Sequence, residues 1–270
     1  MNQTVHSSPP APIVQPVKVR RAQARLLPIS IASVIVLLLV WETACRMGWI
    51  DPIFLPAPSQ ILELGMKMSA EGTLLGHVLA STRRVMVGFF AAALIAVPLG
   101  IFLGTSPRAR AAFDPILSFL RPLPSMSWIP LSLLWFGITE TQKYSIVFMG
   151  TFAPALLYVI DATRSIDPLL IRAARNLGAN KWQVMREVIL PGSLAQIISG
   201  FKVILGLSWT CVISAELVAA KEGLGFLIMN GKEFFQTDTV MLGMVMISIT
   251  VLLIDVVSRK IESRILKWQK

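Results

Sequence analysis

The sequence predicts an all-α fold: a polytopic membrane bundle of about six spanning helices. Three observations lead there. First, the chain of 270 residues is 54% hydrophobic and only 15% charged, where a soluble domain carries about 25% charged residues. Its mean hydropathy is +0.68. Second, six apolar stretches approach the ~20 residues that a helix needs to cross a hydrocarbon core. Third, 25 Lys and Arg stand against 15 Asp and Glu, a net charge of +10, and most of these cations fall on one side of the expected topology. The composition excludes a disordered chain, a disulfide scaffold and an ordinary cytosolic enzyme. In a soluble protein such basicity points to nucleic acid; in an apolar one it points to cations gathered at one membrane face, so no nucleic-acid partner is expected.

Residues 1–25 read as a tail, with Pro9, Pro10, Pro12 and Pro16, then the basic cluster Lys18, Arg20, Arg21 and Arg25. The first expected span is 26–45. A basic region before an apolar run also resembles a signal peptide, and Cys45 after Ala44 resembles a processing site. Glu42 and Arg46 flank that point and the run is long enough to span, so an uncleaved helix is the preferred reading. Cys45 and Cys211 both lie in apolar stretches and read as small buried hydrophobes. Residues 53–70 are too interrupted to span; Pro56 and Pro58 followed by ILELGMKM predict a short interfacial helix. The remaining spans are expected at 85–104, 116–137, 144–162, 197–219 and 240–257. The third carries Pro122, Pro124 and Pro130 and must be broken or kinked. A basic tail, 259–270, closes the chain.

With the N-terminus inside, eighteen cations collect on the cytoplasmic side and seven outside. Arg108, Arg110 and Arg121 are counted at the connection between the second and third spans, and Lys202 just inside the fifth. The positive-inside rule therefore places both termini in the cytoplasm. Arg83 and Arg84 fit least well, bordering the second span on the outer side, where they snorkel to headgroups or pair inside the bundle.

The long connection, 163–196, is too polar to insert. Asp167 can cap a helix with Pro168 at its first position. Leu169 to Leu177 is then helical, and Gly178 supplies a left-handed stop. Asn180 can start a second helix that ends before Pro191. Leu170, Ala174 and Leu177 share a face, and Ala173 and Ala174 permit close approach. Such a pair suits a groove on a soluble partner or rests on the lipid surface; spacing alone leaves both open.

Arg172-Ala173-Ala174, then Gly178, then Val188-x-Leu190-Pro191 resembles the "EAA" signature of bacterial ABC-importer permeases. Arg172 stands where that signature has glutamate, so a role carried by the acid does not transfer. FLPAPSQIL (54–62), RPLPSMSWIPLSLLWFGI (121–138), FAPALL (152–157) and AELVAAKEGLGFLI (215–228) resemble the permeases for taurine and other sulfonates, nitrate and bicarbonate. The resemblance covers roughly residues 50–260 and implies a type I ABC-importer permease with a MetI-like fold, in the bacterial inner membrane. The permease domain is then 26–258. The resemblance further implies a second permease subunit, expected as a homodimer, and two cytoplasmic ATPase subunits carrying ATP and Mg. It also implies a periplasmic substrate-binding protein and surrounding lipid. Asp167, Leu170, Arg172, Ala173, Ala174, Leu177, Gly178, Leu190 and Pro191 would form the element that couples to the ATPase. The cargo would be a small anion or zwitterion, taurine or an alkanesulfonate first, nitrate or bicarbonate next.

The chain has no phosphate-cradling G-x-x-x-x-G-K-[ST] loop; Gly225 to Lys232 fails on spacing and lacks the hydroxyl. No cofactor is expected on this chain. Ser208, Trp209, Thr210 and Ser214 in the fifth span either line a polar path or bond helix to helix. Glu216 is a functional-site candidate by its position in the membrane, or it pairs with Lys221 or Arg84. Glu42 and Asp255 read as interfacial, Gly223 and Gly225 as turn residues. His6 and His77 lack ligand-spaced partners, so no metal is expected. A transporter or channel acting alone is the competing function; the broken third span fits it, but no internal repeat is apparent. An intramembrane hydrolase lacks a nucleophile with a positioned base.

Overall fold

A computed structural model describes residues 19–266, with side chains from Pro28 onward except Ser30. The expected tail over 1–18, including His6, and the cations Lys267 and Lys270 lie outside the described residues, as do the side chains of Arg20, Arg21 and Arg25. The chain divides into two compact units, one up to Ile50 and one from Asp51 onward. In the first, helix α1 (Val19–Arg46) covers the expected first span; Glu42 pairs with Arg46 one turn later at 2.6 Å.

The second unit holds α2 (Pro58–Ala70), α3 (Thr73–Thr105), α4 (Pro107–Leu120), α5 (Ile129–Phe136) and α6 (Glu140–Arg164). It continues with α7 (Pro168–Asn176), α8 (Lys181–Ala219), α9 (Leu224–Glu233) and α10 (Thr237–Ile265). Four of these, α3, α6, α8 and α10, are long and apolar enough to cross a membrane. Each extends beyond the expected span. α3 starts at Thr73 rather than 85, because Arg83 and Arg84 continue the helix instead of flanking it. At ~1.5 Å per residue its 33 residues reach ~50 Å, past a core of ~30 Å.

The expected third span is not one helix. α4 ends at Leu120, a 3-10 turn occupies Ser125–Trp128, and α5 follows. Pro122 and Pro124 supply no N–H to continue α4, and Pro130 is tolerated in the first turn of α5. Arg121 is thereby displaced from the connection where the sequence placed it. It stands at the far end of the 14-residue α4, ~21 Å along the helix from Ser106.

α3 and α6 form the spine. Gly88, Ala92, Ala96, Gly100 and Gly104 recur every fourth residue along one stripe of α3. Val147, Thr151, Ala155, Val159 and Thr163 do the same on α6, and all five are buried. A Cβ added at Gly100 would lie 2.6 Å from Val159 Cβ, and one at Gly104 2.8 Å from Thr163 Cβ. The pairs advance together along both helices, so α3 and α6 run parallel, as alternate spans must. Small residues allow this approach where lipid offers no hydrophobic drive for association. Phe89, Leu103, Leu156, Ile160 and Ile204 fill one cluster beside the spine. Val85, Val147, Trp209, Val212 and Leu224 fill another. α10 is tied to α8 by Lys202 Nζ to Glu262 Oε2 at 2.7 Å, and Asp255 pairs with Arg259 on its own helix. α2 packs Gly65 against Leu242 of α10, and the Thr237 hydroxyl donates to the carbonyl of Ile53.

Candidate functional site

Two polar constructions stand at opposite ends of the bundle. The first joins the end of α6 to the start of α8. Asp167 caps α7 as expected, accepting the Leu169 N–H at 2.8 Å, with Pro168 at the first position. Gly178 has φ +87°, and a Cβ there would meet nothing within 4 Å. The turn thus needs glycine for its backbone, and its outer side is open. Asn180 and Gln183 then cap α8 reciprocally, at 2.8 and 2.9 Å.

The expected stop before Pro191 is absent. α8 passes through a π-helical stretch, Val184–Ile189, and runs on to Ala219. The wider turn lets the helix absorb a residue that cannot donate an N–H. The loop is therefore one short helix, a glycine turn and the foot of a long helix. Asp167, Leu170, Arg172, Ala173, Ala174, Leu177 and Gly178 lie together on α7 and its turn; Leu190 and Pro191 lie beyond the π stretch on α8. Ala174 is half-buried, while Arg172 and Ala173 are exposed. Leu169, Leu170, Leu177 and Trp182 present large apolar surfaces outward, Leu177 at 88% exposure. Nine residues cannot hold a helix alone; α7 is anchored through Ile171 and Ala174 on its half-buried side.

The second construction centres on Arg84, which is fully buried. Its guanidinium donates to Glu216 Oε1 at 2.8 Å, and to both oxygens of Glu140 at 2.7 Å. It also donates to the carbonyl of Glu222 at 2.7 Å. Glu216 accepts further from the Ser81 hydroxyl and, at 2.8 Å, from the N–H of Gly225. Ser81 in turn accepts the N–H of Leu224 at 2.8 Å, and His77 Nδ1 accepts that of Gly223 at 3.0 Å. The first turn of α9 is thus capped by side chains of α3 and α8. Lys143 reaches Glu140 at 3.3 Å, and Arg83 reaches it at 3.4 Å. Gly225 does not serve a turn: it sits inside α9, where a Cβ would fall 2.7 Å from Glu216 Cβ.

Of the two partners expected for Glu216, Arg84 is the one that pairs. The buried hydroxyls of Ser208 and Ser214 donate to carbonyls four residues back, at 2.8 Å each. Trp209 is buried and its indole N–H has no acceptor among the described residues; Thr210 is exposed. Sequence reasoning missed Ser81 and Glu140. Glu140 opens α6 directly after a polar turn, so it reads as solvent-exposed unless Arg84 is known to face it.

With this geometry in place, comparison with known proteins decides the family. The family model described as "Binding-protein-dependent transport system inner membrane component" matches residues 96–267. The chain belongs to that family. This permease is 39% identical over 250 residues to the taurine transport system permease protein of Escherichia coli (strain K12), covering 91% of each chain. It is 32% identical to a putative aliphatic sulfonates transport permease of Bacillus subtilis (strain 168), covering 87% of this chain and 85% of that protein. It is 28% identical to a nitrate import permease of Synechocystis sp. (strain ATCC 27184 / PCC 6803 / Kazusa), covering 83% of each. Its fold matches the inward-facing MetNI methionine ABC transporter with a TM-score of 0.64 at 21% identity, over 71% of this chain and 95% of that one. The permease is thus an ABC-importer membrane component with a MetI-like fold, a part of a transporter and not an enzyme.

Proposed function

We propose that this permease forms the translocation path for a small sulfonate-type anion or zwitterion, with taurine or an alkanesulfonate the leading cargo and nitrate or bicarbonate next. It is driven through α7 and Gly178 by ATPase subunits of separate sequence. The observation that carries the coupling role is the surface of that loop. Four large apolar side chains stand exposed around a glycine turn whose outer side is open. An exposed apolar patch with basic residues at its edge fits a groove on a partner protein. Arg172, Arg175, Lys181 and Arg186 supply that edge. The similarity to taurine and sulfonate permeases supports the cargo class. Two permease subunits, two ATPases holding ATP and Mg, and a periplasmic binding protein would complete the machine. Both termini would face the cytoplasm. Closure of the ATPases would move the two loops together and turn the path outward, a rigid-body change with the loop as lever.

Reconstitution tests this. Proteoliposomes holding permease, ATPase and binding protein should accumulate taurine only when ATP is supplied to the ATPase side. Uptake by the permease alone, driven by an ion gradient, would contradict the proposal and support a secondary transporter.

A further inference from the structure

The break between α4 and α5 opens a cavity of about 310 Å³. Its walls come from Arg121, Ser125 and Trp128 at the break, from Gly150 and Pro154 on α6, and from Cys211 on α8. The remaining wall is apolar. The height of the cavity follows from the helices beside it. The α6 residues that line it, Met149 to Leu157, straddle the midpoint of the helix Glu140–Arg164. Cys211 stands eight residues before the end of α8 at Ala219, or ~12 Å along the axis. In a core of ~30 Å that is close to the midplane.

Arg121 is the one charged residue in this wall; it is exposed, and its side chain has no hydrogen-bond or ion-pair partner among the described residues. An unpaired guanidinium at such depth is costly unless it reaches water or a partner of opposite charge, and the exposed side chain of Arg121 is open to both. The other intramembrane arginine, Arg84, shows the contrast, since carboxylates surround it. The packing keeps the cavity accessible to the break. Gly150 brings Ser125 to within 2.8 Å of where its Cβ would lie, with Cys211 Sγ also inside contact range. Any side chain there would close the space between the 3-10 turn and α8.

We infer that this cavity is a transient binding site for the anionic group of the cargo, with Arg121 as its recognition residue. The volume exceeds that of a small sulfonate. A guanidinium offers paired donors to two oxygens of a sulfonate, nitrate or carboxylate, while the indole of Trp128 can meet the ammonium of taurine and the apolar wall takes methylene groups. The site selects for negative charge more than for the shape of the cargo. A proline-broken helix is the means of exposing a polar group at mid-depth without an orphaned backbone in lipid.

This inference rests on the anion-importer reading above, and one experiment separates the two. Wild type, Arg121→Gln and Arg121→Lys are reconstituted with ATPase and binding protein, and taurine uptake is measured beside ATP hydrolysis and thermal melting of the complex. The site predicts that Arg121→Gln lowers uptake about tenfold to a hundredfold, the range for losing a charge-assisted hydrogen bond. Assembly and melting temperature should stay at the wild-type level. Arg121→Lys should recover part of the uptake, because the charge is kept and the fork is lost. Wild-type uptake in Arg121→Gln overturns the site and leaves the importer reading intact. Equal loss in Gln and Lys variants together with a lowered melting temperature also overturns it, since the residue is then structural. A wild-type complex that moves only uncharged solutes overturns both.

Discussion

At Arg84 the guanidinium is held by Glu140, Glu216 and the Glu222 carbonyl at once. Removing one partner of a buried pair strands the other charge, at a cost of about 3–5 kcal/mol. Glu216→Ala should therefore lower the melting temperature of the purified permease sharply. Arg84→Lys should fall nearly as far, because an ammonium cannot span both carboxylates and the carbonyl. A thermal melt in detergent checks both, and an unchanged transition in either would show that the cluster contributes no stability. Glu216 was legible as a paired acid, because an acid so near the end of an apolar helix needs a cation and Arg84 was in the running. Ser81 and Glu140 were not legible, because their roles come from the packing of α3 on α6 and not from any local pattern.

At the level of elements, the α3–α6 spine rests on the four-residue spacing of small side chains. Gly100→Val would drive its Cβ to 2.6 Å from that of Val159. Overpacking of this kind costs about 1–3 kcal/mol or more, so the variant should melt lower, while Gly76→Ala, where nothing lies within 4 Å, should not. The stability of α7 turns on its cap. Asp167→Ala removes an N-cap worth about 1 kcal/mol, so the α7 amides should exchange with deuterium about fivefold faster, measured by mass spectrometry with α6 as internal control. Equal exchange rates would exclude capping by Asp167. This element was almost wholly readable, since Asp167, Pro168, Gly178 and Asn180 are local signals. Pro191 misled, because a π turn can carry a helix past a proline and no residue pattern announces it. The break after Leu120 was readable from its prolines; the depth of Arg121 was not, because hydropathy does not show where an interrupted span turns.

For the molecule as a whole, the parallel α3 and α6 agree with alternating spans, and the two polar constructions stand at opposite ends. With Cys45→Ser and Cys211→Ala, a single cysteine at Leu177 should react with a membrane-impermeant maleimide only from the cytoplasmic side. One at Phe235, which is 85% exposed, should react only from the periplasmic side. Labelling of both from one side would overturn the topology. The spans were legible as apolar runs but came out too short, since hydropathy ends a span at Arg83, Arg84 or Lys143 whether or not those charges find partners inside. The central claim is that ATP-driven work enters through Gly178, and Gly178→Trp in the reconstituted complex tests it most directly, with Gly178→Asn as the control that tolerates a left-handed backbone. The account predicts that the tryptophan variant still inserts and assembles, with only the modest loss of stability that a left-handed tryptophan brings, yet loses ATP-dependent taurine uptake while the asparagine variant retains most of it. Full uptake in Gly178→Trp would contradict it.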